Sequence, residues 1–327
     1  MGKASSAIAV GFTIAAAAAT AQAQSWSPQR NVEIVVGSAP GGSNDKTART
    51  VEHIITVKKL VPATLTVVNR PGGGSTIAFN YVMQRAGDPH YLMIGTPSLL
   101  TNHITGLSKI SYRDFTPIAS LLNDYIVFAV NADSPMKTGK DLIERLKKDP
   151  KSVTIGFATA LGSHNHIAAG LLMKTIGGNA RDLKVVAYKG SSEAVTNLLG
   201  GHIDLVTTAA GNVAGHLAAG KLRVLGIAAH QRFQGALAPI PTWKEQGVNL
   251  VFGGWRAILA PKGITPQQTA YWENTLRKVT ETADWKADLE KNFWADDFLP
   301  GARFAQELDK DYQSMKAVLL DIGLARQ

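Results

Sequence analysis

The residues best placed for chemistry in this 327-residue chain are Pro40-Gly41-Gly42-Ser43-Asn44-Asp45. An apolar run, Val32 to Val36, precedes them, and Ala48, Val51, Ile54 and Ile55 follow at helical spacing. Strand, glycine turn and helix start, in that order, gather backbone N–H groups at one point. Such a helix end carries unpaired donors and a partial positive charge, so it suits an anion. The pattern returns at Gly72-Gly73-Gly74-Ser75, where Ser75 is expected to cap the next helix, and at Thr96-Pro97-Ser98. It returns again at Ala160-Leu161-Gly162-Ser163 with His166, at Tyr188-Lys189-Gly190, and at Thr208-Ala209. Together with the first loop, Gly74, Ser75, Thr96, Ser98, Ala160 to Ser163, His166, Tyr188, Lys189, Thr208 and Ala209 are the candidate ligand contacts.

Other chemistry fits these residues less well. Lys46-Thr47 resembles the end of a phosphate-binding P-loop, but the glycine positions of that pattern hold Pro40 and Asp45. Ser43, Ser75, Ser163 and Ser191 lie in no G-x-S-x-G elbow. His164 and His166 have no neighbouring Cys, Asp or Glu to complete a metal set. His166 is expected to pack or donate a hydrogen bond near the site, and His164 to be solvated. No catalytic residue, metal or cofactor is assigned. Asp45 has two readings, favourable placement in a helix first turn or selection of the ligand.

Composition narrows the class further. The chain is 45% hydrophobic and 18% charged, which is ordinary for a globular protein. Its net charge is +9, yet the basic residues are scattered and aromatics make up 7%. This favours attraction of small anions over nucleic-acid binding. Lys3, the apolar run Ala7 to Ala19 and Ala21-Gln22-Ala23 form the pattern of a secretory signal peptide over residues 1–23, cleaved near Ala23. Export without any cysteine leaves stability to the core alone.

The loops must be positioned by strands and helices that alternate, which indicates an α/β fold. A change in strand character at Tyr125 to Val130 places a crossover there, and Leu222 to Ala228 is read as the return. The expected domains are 24–125 plus 228–327, and 126–227, with the ligand cleft between them at the carboxyl ends of the strands. Thr242 to Glu245 is read as a capping box opening a helix ended by Gly247, and Thr265-Pro266-Gln267-Gln268 as a second helix start. The remaining tail is read as helical.

Over nearly its whole length the mature chain resembles the extracytoplasmic solute receptors of tripartite tricarboxylate transporters, the Bug receptor family. The matching residues are Pro40-Gly41-Gly42 with Asp45, Ala48 and Arg49, then Val68 to Gly74, Asp114 to Ile118, and Gly162-Ser163 with His166. Tyr188-Lys189-Gly190, Leu198 to Gly201 with Asp204, Ala219 to Leu225, Pro241-Thr242 with Glu245 to Gly247, and Trp255 with Ala260-Pro261 complete the set. The resemblance implies a two-domain periplasmic-binding-protein fold of the flytrap type, each domain a mixed sheet flanked by helices. It implies a monomeric receptor, not an enzyme, that closes on a small carboxylate and passes it to a membrane permease. Pro40 to Asp45 and Ala160 to Ser163 would be the two pincers. A periplasmic hydrolase acting on a carboxylated substrate is the alternative, as is a sensor docking a membrane signalling partner. Gly37-Ser38 and Thr207-Thr208-Ala209 depart from the Pro-Phe and Phe-Asp-Asn that the family often carries.

Overall fold

The computed structural model describes residue 2 and residues 26–158, 161–188 and 190–325. The signal-peptide reading, apart from Gly2, lies outside the described residues, as do Ala160 and Lys189.

The chain opens as β1 (Val32–Val36), α1 (Ser43–Val57), β2 (Leu65–Asn69), α2 (Thr76–Met83), β3 (Tyr91–Gly95) and α3 (Ser98–Ile104). A long strand, β4 (Phe115–Asn131), then leads to α4 (Gly139–Lys148), β5 (Thr154–Ala158), α5 (His164–Thr175), β6 (Lys184–Tyr188) and α6 (Ser191–Leu199). Next come β7 (Leu205–Ala209), α7 (Ala214–Ala218), β8 (Leu222–Ile227) and β9 (Gly253–Pro261). The chain finishes with α8 (Pro266–Thr280), α9 (Ala283–Asn292), β10 (Ala295–Pro300) and α10 (Gly301–Asp321).

Two sheets share β4. In the first, β2, β1 and β3 are parallel, and β9 follows β3 antiparallel. In the second, β6, β5 and β7 repeat that order, and β4 follows β7 antiparallel. The first half of β4 pairs β9 and β10, and its second half pairs β7 and β8. Each sheet therefore has a middle strand, β1 or β5, whose two parallel neighbours are reached in opposite directions. The crevice at the carboxyl end of such a strand is where open α/β sheets take ligands.

Local sequence explains the elements. Ala48, Val51, Ile54 and Ile55 are buried under α1 as their spacing predicts. The Thr265 box closes on α8, with Gln268 N–H donating to Thr265 Oγ1 at 3.3 Å and Pro266 in the first turn. Thr242 forms the same box with Glu245, but the expected helix is only a single 3-10 turn, Lys244–Gln246, because Gly247 turns left-handed at φ 80°. The sequence reading also caught just the end of β4. Its earlier part carries Ser120, Asn123 and Asp124, polar residues that break the apolar run. The tail likewise contains a strand, β10, whose Ala-Asp-Asp-Phe-Leu-Pro sequence has no strand alternation and is held at the edge of β4.

Residues 228–252 pack against the second sheet. Thr242 bridges to Ile227, and the Gln246 amide donates to Leu225 O at 3.0 Å. Trp243 is fully buried and meets Phe128 edge-on at 5.1 Å. Where the sheets join, Ala228 N–H donates to Ile126 O, Phe252 N–H to Ala228 O and Ile126 N–H to Phe252 O, at 2.9, 2.8 and 3.3 Å. The helix α10 lies on β4 and α3 and also reaches α5, where Lys174 pairs with Asp321 at 2.6 Å. Because Trp243 anchors the whole 228–252 segment, Trp243→Ala is predicted to lower the unfolding free energy by about 3–5 kcal/mol. Chemical denaturation of the variant checks this.

Candidate functional site: two uncapped helix starts

The turns ahead of α1 and α5 are built alike. Gly41 and Gly162 both take left-handed angles, φ 82° and φ 80°. Gly42 and Ser163 follow as extended helix caps, with φ/ψ of −71°/166° and −65°/159°. The residue four positions after each turn glycine then accepts that glycine's N–H. Asp45 Oδ2 accepts from Gly41 at 2.8 Å, and His166 Nδ1 accepts from Gly162 at 2.9 Å.

Asp45 is committed to this brace. Its Oδ2 also accepts from Arg49 Nε at 2.9 Å, and its Oδ1 accepts from Asn69 Nδ2 at 2.9 Å. Burial works against ionisation, but the Arg49, Gly41 and Asn69 donors outweigh it and hold the carboxyl below its usual range. Both oxygens thus serve the loop.

His166 packs, one of its two expected roles, but its Nδ1 accepts rather than donates, so the proton must sit on Nε2. The ring is buried, stacks on Phe157 at 4.6 Å, and burial pushes it down to about 4. His164 is half-buried rather than freely solvated. Enclosure, and secondarily the Arg256 guanidinium, push it down to about 4. Its position is set by the first helical turn of α5, which directs it onto β9.

Neither helix start is capped by a side chain. Gly42 has none to offer, and the Ser163 hydroxyl turns back to donate to Ala158 O at 3.1 Å. The first intrahelical bonds run from Lys46 to Gly42 and from Ile167 to Ser163, each at 2.9 Å. The N–H groups ahead of those bonds have no intrahelical acceptor. Both starts converge on β9. Arg256 Nε donates to Asn44 Oδ1 at 3.0 Å, and a Cβ at Gly254 would lie 4.0 Å from His164 Nε2. Leu319 and Leu324 support the Gly162 turn from behind.

The other candidates are arranged differently. Ser75 does not cap α2 with its side chain; it adopts φ 78° and its hydroxyl donates to Gly37 O at 3.2 Å. A Cβ at Gly37 would collide with Ser75, so the departure at Gly37 accommodates this packing. Gly74 O accepts from Asn102 at 2.8 Å, and the Thr96 and Ser98 hydroxyls bond each other at 2.8 Å. Thr208 is buried and its hydroxyl accepts from Asn212 at 2.9 Å, while Ala209 ends β7. Tyr188 ends β6 and packs on the core of the second sheet. Leu161 is exposed at the turn. Pro40, Ser43 and Asn44 stand with Gly41 and Gly42 at the α1 start. The sequence reading missed Arg256 and Asp124, which are paired at 3.3 Å beneath both helix starts. Only the alternation along β9 and β4 could have placed them together.

His164 and His166 give a pH signature. Their folded values, about 4, lie below the ordinary histidine value, so the unfolded state takes up more protons as pH falls through that interval. Stability is therefore predicted to be full above pH 6.5 and to drop as pH falls toward 4. Urea denaturation across that range checks it, and His166→Asn should flatten the slope.

A family model described as the tripartite tricarboxylate transporter family receptor matches residues 48–322. The chain is 29% identical to Protein BugT of Bordetella pertussis over 288 residues, covering 86% of this chain and 85% of BugT. It superposes on a TctC solute-binding protein from Polaromonas with a TM-score of 0.80 at 27% identity, covering 90% of this chain and 99% of that one. An R. palustris protein solved with adipate shares the fold, with a TM-score of 0.68, 24% identity, and coverage of 91% and 99%. With the family model spanning most of its length, the chain belongs to the tripartite tricarboxylate transporter receptor family and is a solute-binding receptor.

Proposed function

We propose that this receptor captures a small organic carboxylate between the starts of α1 and α5, in the periplasm, and hands it as a monomer to a membrane permease. One observation carries the reading: two helix N-termini at equivalent strand ends, each with a braced turn and no side-chain cap, meet over β9. A carboxylate brings two oxygens that accept from such N–H groups and a charge that both helix dipoles favour. The adipate held by the R. palustris relative is a ligand of this chemistry. Among the described residues no helix is long and apolar enough to cross a membrane.

The two units we infer are 26–125 with 253–325, and 126–252. The second is longer than the 126–227 read from sequence, because residues 228–252 pack on the second sheet. Closure would turn on residues 126, 228 and 252, where three backbone hydrogen bonds run side by side. A ligand that touches both units favours the closed state through its differential affinity.

Two linked measurements test this. A thermal-shift screen of the chain from Gln24 onward should find a carboxylate that stabilises it, by about 2.7 kcal/mol at 100 times its dissociation constant. No shift with any carboxylate, or chemical conversion of one, contradicts the reading. Ser43→Pro then isolates the α1 start. Proline is favoured at the first helical position, and Gly42 already has the extended angles a residue before proline needs. The variant should fold as well as the parent yet bind the same carboxylate at least about tenfold more weakly, the loss of one charge-assisted hydrogen bond. Unchanged affinity removes the α1 start from the site.

A further inference from the structure

We propose that the Asp124–Arg256 pair reads a hydroxyl group on the captured acid, which makes hydroxycarboxylates the preferred ligand class. This rests on the carboxylate-receptor reading above. The pair lies on the face of β4 and β9 that meets both helix starts. Arg256 Nε holds Asn44, and Gly254, two residues earlier on the same face of β9, lies against His164.

The ion pair uses only half of each partner. Arg256 Nη2 donates to Asp124 Oδ2 at 3.3 Å. Arg256 is 7% exposed, yet among the described residues its Nη1 has no hydrogen-bond partner, and neither has Asp124 Oδ1. The Trp294 ring supports the guanidinium at 4.7 Å; burial pushes the Asp124 carboxyl up, and the Arg256 guanidinium, with a smaller help from the Trp294 indole, works against that push. Buried polar atoms without partners are costly, and a charged donor is the costliest kind. One free donor and one free acceptor on a single ion pair match a hydroxyl, which accepts on oxygen and donates its proton. A methylene satisfies neither atom. A second carboxylate satisfies Nη1 but meets the Asp124 charge.

Calorimetric titration of the chain from Gln24 onward with matched acids tests the assignment: butyrate against 2- and 3-hydroxybutyrate, succinate against malate, glutarate against 2-hydroxyglutarate. In at least one set the hydroxy acid should bind roughly tenfold or more tightly than its deoxy partner, since a site built to bond a hydroxyl rejects the analogue lacking it. The double variant Asp124→Leu/Arg256→Met replaces the pair by apolar side chains of similar size, an exchange that buried pairs often tolerate. It should bring the affinity ratio to about one, whatever it does to the affinity that both acids share through Asn44; a ratio that persists overturns the assignment. Ligand-free melting checks its fold. Asp124→Asn, which turns the free acceptor into a donor, is the second variant and should also reduce the ratio. Equal affinities in every set, with binding intact, overturn the hydroxyl assignment and leave carboxylate capture standing. Failure of every one of these acids to bind, while another carboxylate without a hydroxyl stabilises the chain in the thermal-shift screen, overturns the hydroxyl assignment alone.

Discussion

The structure depends on one local interaction made twice: a side chain in the first turn of a helix accepts the N–H of the glycine four residues before it. Asp45 does this for Gly41, and His166 for Gly162. The bond fixes a left-handed turn that would otherwise be a loose loop. The cap positions beside it supply no acceptor, since Gly42 has no side chain and the Ser163 hydroxyl donates to Ala158 O. Each helix start is left with N–H donors that have no intrahelical acceptor and, among the described residues, no side-chain cap. The ligand carboxylate is, on this account, the missing cap of two helices at once.

An acid and an imidazole perform the same task by different electrostatics. The carboxylate must stay charged, and the Arg49, Gly41 and Asn69 donors around Asp45 secure that. The imidazole must stay neutral so that Nδ1 can accept, and burial against Phe157 secures that. The family resemblance and the repeated strand order, β2-β1-β3 and β6-β5-β7, place both braces at equivalent strand ends. What differs between the halves is what lies below: Asn44 holds Arg256, whereas His164 rests on the neighbouring stretch of β9.

Much of this was legible in the sequence because it is local. The strand-glycine-helix order around Gly41 and Gly162 and the buried stripe of α1 follow from residue type and spacing. Asp45 stands out in the sequence but its role does not, since Asn69, which bonds its second oxygen, is distant in sequence. The acceptor role of His166 and the partial burial of His164 are hidden for the same reason, because the surroundings of a polar residue depend on what packs over it. Arg256 and Asp124 carried no motif at all. They become a pair only when β9 is laid antiparallel to β4, and the polar residues that make β4 useful there also hid it as a strand. Trp243 drew residues 228–252 onto the second sheet by a contact with Phe128 that no spacing rule announces.

The central claim is that ligand oxygens occupy the open N–H groups of both helix starts. The amide spectrum of the isotopically labelled protein tests it most directly, recorded while the best-binding carboxylate is added. The account predicts that the amides of Ser43, Asn44, His164 and Asn165 move furthest and saturate together. The contradicting result would be shifts centred on another cavity, such as the groove of about 580 Å³ lined by Phe233, Phe293 and Trp294, with both helix starts unmoved.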